Sequence, residues 1–153
     1  MRYRPGDIIL NGKYRVEGWL GRGSLGEVYR AWDLEHRAVR ALRVVTRDMP
    51  GVDDLAVRDC RECFALAAQL GALLDHPHVL KVYGVEEGEG ELALVMEFAP
   101  GGSLQDRLDA EGRLSIDETA RLAVEACLGL SAIHEQLQAV HRDLKPSNIL
   151  FGE

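Results

Sequence analysis

Two segments of alternating polar and apolar residues flank a glycine-rich turn, and this arrangement constrains the fold more than any other feature of the chain. Residues 14–20 and 27–32 alternate as half-buried strands do. The turn between them is Gly21-Arg22-Gly23-Ser24-Leu25-Gly26. We therefore predict a β-hairpin whose turn can approach phosphate oxygens, because glycines place no Cβ in front of the backbone N–H donors.

A G-x-G-x-x-G motif alone is a weak signal, and two other interpretations exist. A dinucleotide-binding fold would place a helix directly after the glycines, but residues 28–32 continue as a strand, which disfavours that fold. An ordinary hairpin turn without a ligand stays open on this motif by itself.

The residues after the hairpin predict the rest of a small α+β unit. Residues 38–45 form a third strand and extend the hairpin to an antiparallel meander. Residues 79–85 and 91–98 predict two more strands, joined by an acidic loop at 86–90. Between Pro50-Gly51 and His76-Pro77 the period becomes helical, with an apolar stripe of Cys63, Phe64, Leu66, Ala67, Leu70, Leu73 and Leu74 expected to pack on the sheet.

Composition limits the classes of protein and their location. Of 153 residues 46% are hydrophobic, enough for a core, and 18 basic against 25 acidic residues give a net charge of −7. The basic residues are scattered, which argues against a nucleic-acid or membrane-surface binder. No apolar stretch approaches the ~18 residues of a membrane span. Three cysteines leave an odd thiol and favour a cytoplasmic location, and the Cys60-x-x-Cys63 spacing without a second pair favours core cysteines over a zinc site.

After Pro100-Gly101-Gly102 the pattern is helical. Ser103 and Ser115 are expected to cap the starts of two helices, and Ser115 with Glu118 fits a capping box. Residues 116–137 are apolar on nearly every side, as in a helix that is buried all round. Only 16 residues follow this helix, and we expect them to be too few to cover it.

A second motif follows this helix, where residues 141–150 run His-Arg-Asp-Leu-Lys-Pro-Ser-Asn-Ile-Leu. With the glycine turn upstream and Met96-Glu97-Phe98-Ala99 between the two, the order of motifs resembles the protein-kinase family over residues 10–153. The form Asp-Leu-Lys-Pro-Ser-Asn is similar to the serine/threonine branch. The segments Gly-Glu-Val-Tyr and His-Pro-His-Val are similar to bacterial members.

The resemblance implies an architecture and a reaction. Residues 10–99 would form a kinase small lobe, a five-stranded antiparallel sheet with one helix. Residues 100–153 would form the hinge exit, two helices and the catalytic loop of an incomplete, mainly helical large lobe. The cofactors implied are ATP and Mg²⁺, and the acceptor is a Ser or Thr hydroxyl of a protein substrate.

The resemblance also assigns residues to roles. Asp143 would accept the proton of the substrate hydroxyl, Lys145 would steady the charge of the transferring phosphoryl group, and Asn148 would bind the metal ion. Met96 would be the gatekeeper, and the backbone of Glu97 and Ala99 would meet the edge of the adenine. The full nucleotide-binding set is Leu20, Gly21, Gly23, Gly26, Val28, Ala41, Arg43, Met96, Glu97, Ala99 and Leu150. Taken singly, the apolar members are also explained as ordinary core residues.

The sequence departs from the family pattern in three ways. Arg43 stands where the family has a phosphate-binding lysine, and its planar fork differs from a compact ammonium group. Ala67 occupies the position of the acid that pairs with this lysine, and Glu62 lies about 140° around the helix from it. No Asp-Phe-Gly occurs in the sequence, so the Mg²⁺ site is expected to be incomplete. We therefore expect weak or no turnover by this chain, and a non-catalytic pseudokinase or protein-interaction module is the alternative.

Overall fold

Six strands form one antiparallel sheet in the computed structural model, which describes residues 1–23, 26–46, 54–88 and 90–152. The strand order is β1-β2-β3-β4-β6-β5, and every neighbouring pair is antiparallel. The strands are β1 Ile8–Ile9, β2 Tyr14–Gly23, β3 Gly26–Asp33, β4 Ala38–Thr46, β5 Val82–Gly88 and β6 Glu91–Glu97.

The five predicted strands are confirmed, and β1 is added to them. Its two residues pair with Arg15 and Tyr14 of β2, and a strand of two residues is too short to show alternation in the sequence. The predicted acidic loop at 86–90 was wrong in part, because β5 continues to Gly88, and Glu89 lies outside the described residues. The acidic side chains are accommodated in the strand by ion pairs, since Glu86 meets Lys13 Nζ at 2.7 Å and Glu87 pairs with Arg61.

The helix α1, Asp54–Leu73, packs beside β5. A Cβ added to Gly71 would lie 2.7 Å from Cβ of Val82, so the two backbones approach closely. Phe64 is 2% exposed and Cys60, one turn earlier, is also buried. The predicted stripe was too wide: Cys63, Leu66 and Leu73 are exposed. At about 100° per residue, Leu66 and Leu73 lie on the side of the helix opposite Phe64.

Two helices and a short 3₁₀ turn make up the later part of the chain: α2 Leu104–Glu111, α3 Ile116–Leu137 and the turn Pro146–Asn148. Both predicted N-caps are confirmed as capping boxes, Ser103 with Asp106 and Ser115 with Glu118. The bounds of α3 match the predicted 116–137.

Much of the surface of α3 is exposed, although apolar residues on nearly every side are typical of a helix that is buried all round. Ile116 is 88% and Val124 60% exposed, whereas Gly129 and Ala132 are buried. A Cβ on Gly129 would lie 2.5 Å from the His78 carbonyl oxygen. This helix therefore makes its close contact through its smallest residue.

The chain divides into two compact units. The first comprises Met1–Ala72 and Lys81–Phe98, and the second comprises Leu73–Leu80 and the residues from Ala99 onward. Among the described residues, no helix combines the length and the apolar character needed to cross a lipid bilayer.

Candidate functional site

The glycine hairpin joins β2 to β3 in the first unit. Gly21 pairs with Val28 and Gly23 with Gly26, while Ser24 and Leu25 lie outside the described residues. Gly26 has φ +115°, and a Cβ on it would lie 2.3 Å from the Val44 carbonyl oxygen. Only glycine fits at this position, because a side chain would meet both backbone strain and the neighbouring strand.

One face of the sheet collects the apolar residues expected to line a nucleotide slot. Val28 pairs with Arg43, and Ala41 pairs with Met96. Since Ala41 and Arg43 are two residues apart on β4, all four side chains share this face. Ala41 is 7% and Met96 8% exposed. We call this surface the nucleotide face.

Leu20 and Glu97 lie at the border of the nucleotide face. Leu20 is the extra residue of a bulge in β2, between the pairs made by Trp19 and Gly21, and it is 47% exposed. The Glu97 N–H donates to the Lys81 carbonyl at 2.9 Å. Its amide hydrogen is therefore already used, and its carbonyl is the backbone group that it can offer to a ring edge.

The remaining two expected nucleotide contacts, Ala99 and Leu150, belong to the second unit. Leu150 is 41% exposed and forms a bridge with Ser103. Backbone hydrogen bonds on both sides of it hold the segment against the start of α2: Leu104 N–H to Ile149 O at 2.8 Å and Phe151 N–H to Gly102 O at 2.9 Å.

Three polar side chains meet in the loop after α3. Lys145 Nζ lies 2.9 Å from Asp143 Oδ2. Asn148 Nδ2 donates to the same oxygen at 2.9 Å and to the Asp143 carbonyl at 2.7 Å. The structure thus brings together the three residues expected to carry the chemistry, with Asp143 at their centre.

The backbone of this loop is strained next to Asp143. Arg142 has φ +62°, in the left-handed region that non-glycine residues rarely adopt. The backbone forms a tight turn here, since the Asp143 N–H donates to the His141 carbonyl at 2.9 Å. Such strain is often found where a side chain is held for function.

Hydrogen bonds from Lys145 and Asn148 lower the pKa of the Asp143 carboxyl below its ordinary value. The carboxyl therefore stays ionised around neutral pH, in the form that can accept a proton. Because the folded pKa is depressed, its contacts persist above the ordinary aspartate range and are lost as the pH falls through the lowered pKa.

Removing the Lys145 charge is expected to raise the pKa of Asp143 toward its ordinary value. The pKa of Asp143 in Lys145→Met is measured by following its carboxyl chemical shift by NMR as a function of pH. Lys145→Arg is the matched control, since it keeps a cation and should keep the pKa low. An unchanged pKa in Lys145→Met would show that the ion pair does not set the charge of Asp143.

Ala67 lies on α1 at the position expected for the acid that pairs with the phosphate-binding lysine, and it is half-buried. Glu62 is 68% exposed, and its carboxylate lies 3.4 Å from Arg58 Nε on the same helix. Its acid group is thus engaged in an exposed pair along α1, as expected from its angular distance to Ala67.

Asn148 carries one side-chain oxygen that can serve as a cation ligand. Its Nδ2 donates to Asp143, so its Oδ1, the type of hard ligand that Mg²⁺ prefers, faces the other way. Among the described residues, no group of three or more His, Cys, Asp or Glu side chains could hold a metal ion. Cys60 is buried and Cys63 exposed, and neither is part of such a group.

Comparison with known proteins decides the family. The profile of the protein kinase domain matches residues 14–153. The chain belongs to the protein kinase family. In this kinase-like chain, the sheet with α1 is the small lobe, and α2, α3 and the loop of Asp143 are the start of the large lobe.

Curated relatives are kinases from different organisms. The chain is 31% identical over 140 residues to serine/threonine-protein kinase dst1 of Dictyostelium discoideum, covering 92% of this chain and 18% of that protein. It is 33% identical over 149 residues to serine/threonine-protein kinase pkn2 of Myxococcus xanthus, covering 97% and 17%. Aurora kinase B of Xenopus tropicalis is 31% identical over 133 residues, covering 87% and 35%. The chain thus spans between a sixth and about a third of the length of these relatives.

One residue beside the glycine hairpin was missed by the sequence analysis. Glu27 directly follows Gly26, and it is 2% exposed although charged. The alternation along the strand could have indicated its burial. Glu27 alternates with Tyr29 and Ala31, which are fully buried, so all three side chains share one face of β3.

Proposed function

We propose that this chain is an ATP-binding protein-kinase-like domain of the serine/threonine type, of the bacterial branch. In a complete catalytic domain it would transfer the γ-phosphate of ATP to Ser or Thr hydroxyls of proteins. As a chain of 153 residues it is weak or inactive. The observation that carries the proposal is the convergence of Lys145 and Asn148 on the Asp143 carboxylate. Three free cysteines accord with a cytoplasmic location.

The residues present divide the work of phosphoryl transfer among them. Asp143, kept ionised by its neighbours, orients the acceptor hydroxyl and takes its proton. Lys145 offers positive charge beside the phosphoryl oxygens, and Asn148 offers Oδ1 to a cation. ATP with Mg²⁺ supplies the phosphoryl group and the neutralising charge when bound.

Two residues argue for weak turnover. Arg43 lies on the nucleotide face beside Val28, where a lysine would hold the α- and β-phosphates. Its larger, planar fork directs positive charge differently from an ammonium group. Ala67 supplies no carboxylate to orient it. Phosphate positioning is then poorer than in the family pattern, while adenine binding by apolar residues is unaffected.

Nucleotide binding and turnover are tested separately. ATP at about a hundred times its Kd should stabilise the chain by about 2.7 kcal/mol and raise its Tm, with or without Mg²⁺. A radiolabelled phosphotransfer assay should show little or no product. Robust transfer that disappears in Asp143→Asn would overturn the claim of weak turnover, and an unchanged Tm would overturn nucleotide binding.

The exposed surface of α3 favours a second candidate, a non-catalytic pseudokinase or interaction module. Val124 and Leu128 are 60% and 49% exposed, and they lie one helical turn apart. Exposed apolar patches of this kind mark partner sites or aggregation hazards.

This chain is therefore expected to bind an apolar fluorescent dye through α3. Val124→Glu should remove most of the fluorescence gain. Val140→Glu is the control, because Val140 is similarly exposed, at 65%, but lies outside α3. A dye-negative, monodisperse monomer would argue against an available apolar surface.

A further inference from the structure

Buried side chains of the first eleven residues pack against the face of the sheet opposite the nucleotide face, while Ile8 and Ile9 pair with β2 as strand β1. We call residues 1–11 the strap. Tyr3 is 9%, Ile9 4% and Leu10 1% exposed, and they belong to one buried cluster with Tyr29 and Leu42. Tyr29 and Leu42 directly follow Val28 and Ala41 in their strands, so they point to the other side of the sheet. The strap thus contributes Tyr3, Ile9 and Leu10 to the core of the small lobe.

Hydrogen bonds also connect the strap to the end of the sheet where the glycine hairpin lies. Tyr3 Oη donates to Glu91 Oε1 at 2.6 Å, and the Leu10 N–H donates to Glu91 Oε2 at 2.7 Å. Arg2 Nη1 donates to Thr46 Oγ1 at 3.2 Å. Thr46 and Glu91 are partners across β4 and β6, two residues along the ladder from Val44, which pairs with Glu27.

Glu27 connects the strap to the hairpin. The Arg2 N–H donates to Glu27 Oε2 at 3.1 Å, the Met1 amino group lies 3.0 Å from Oε1, and Tyr29 Oη donates to Oε2. On the hairpin side, Arg22 is the cross-strand partner of Glu27, and its Nη2 lies 3.5 Å from Oε1.

Hydrogen-bond donors and cations surround the buried carboxylate of Glu27. Burial by itself would raise its pKa, but the hydrogen bonds from Tyr29, from the amino terminus and from Arg2 outweigh burial and lower the pKa. A buried charge costs free energy unless its partners stay in place. The position of the strap and that of the hairpin base are therefore coupled through one side chain.

We infer that the strap holds the base of the glycine hairpin in place for phosphate binding, with Glu27 as the positioning residue. This inference rests on the proposed function, since the hairpin is the proposed phosphate-binding element. Backbone donors bind an anion well only when their geometry is set beforehand, because ordering them on binding costs free energy. The Glu27 side chain lies on the face opposite the nucleotide face, and its role is to hold Gly26 and Arg22 in place.

Calorimetric titration with ATP and, separately, with adenosine tests this role, because adenosine lacks the phosphates that the hairpin would meet. Glu27→Ala should weaken ATP binding about fivefold or more, the lower end of typical coupling between sites, and leave adenosine binding unchanged. Glu27→Gln keeps one acceptor oxygen for these donors and should rescue part of the loss. Tyr3→Phe removes one hydroxyl without removing the ring, and it should weaken ATP binding in the same selective way. Arg4→Ala, an exposed arginine of the strap, is the matched control and should change neither affinity.

Equal losses of affinity for ATP and adenosine in Glu27→Ala would show that Glu27 is only a structural residue and would overturn the inference. Unchanged ATP affinity in both Glu27→Ala and Tyr3→Phe would overturn it as well. If the unmodified chain binds neither ligand, the proposed function fails. Amide hydrogen exchange then still tests whether the strap holds the hairpin base in place. Glu27→Ala and Tyr3→Phe should speed exchange at residues 21–23 and 26–28. Unchanged exchange there would overturn the inference.

Discussion

Gly26→Ala is expected to lower the free energy of unfolding of the first unit by about 3 kcal/mol. A positive φ in a residue with a side chain costs about 1–3 kcal/mol, and overpacking costs about another 1–3 kcal/mol. Both apply here, since Gly26 has φ +115° and its added Cβ would lie 2.3 Å from the Val44 carbonyl oxygen.

Urea unfolding followed by tryptophan fluorescence measures this loss, because the two tryptophans, Trp19 and Trp32, lie on β2 and β3. Gly23→Ala is the control in the same turn, where an added Cβ meets no atom within 4 Å. It should change stability by no more than about 0.5 kcal/mol. Equal effects of the two variants would show that the hairpin does not depend on the close approach at Gly26.

Phe64→Ala is expected to cost about 3–5 kcal/mol, the range for removing a buried aromatic side chain. Phe64 is 2% exposed on the inner side of α1. Leu66→Ala, two residues later, is the control because Leu66 is 55% exposed. Thermal unfolding followed by circular dichroism compares them. A large loss in Leu66→Ala with little in Phe64→Ala would mean that α1 packs through its other side.

Local features of this chain were predictable from the sequence. The hairpin, the capping box of Ser115 and the bounds of α3 depend on residues close together in the chain, so short patterns are sufficient to place them. The same holds for the loop of Asp143, Lys145 and Asn148, whose side chains meet within six residues.

Features that depend on distant residues were not predictable. The positions of Tyr3 and Leu10 depend on hydrogen bonds to Glu91, which lies 88 and 81 residues away. No local pattern contains such a pair. The predicted stripe of α1 failed for a related reason: apolar residues occur on both sides of this helix, and only the sheet decides which side is buried.

Calorimetric titration of ATP into Leu20→Asp tests the nucleotide face most directly. Leu20 is 47% exposed at the border of that face, so the substitution should leave the fold intact. A carboxylate there would repel the triphosphate, and affinity should fall about tenfold or more. Leu34→Asp adds the same charge at a leucine that is 41% exposed in the β3–β4 turn, and it should bind ATP like the unmodified chain. Equal ATP affinity in the two variants, or no binding by the unmodified chain, would contradict a nucleotide site on this face.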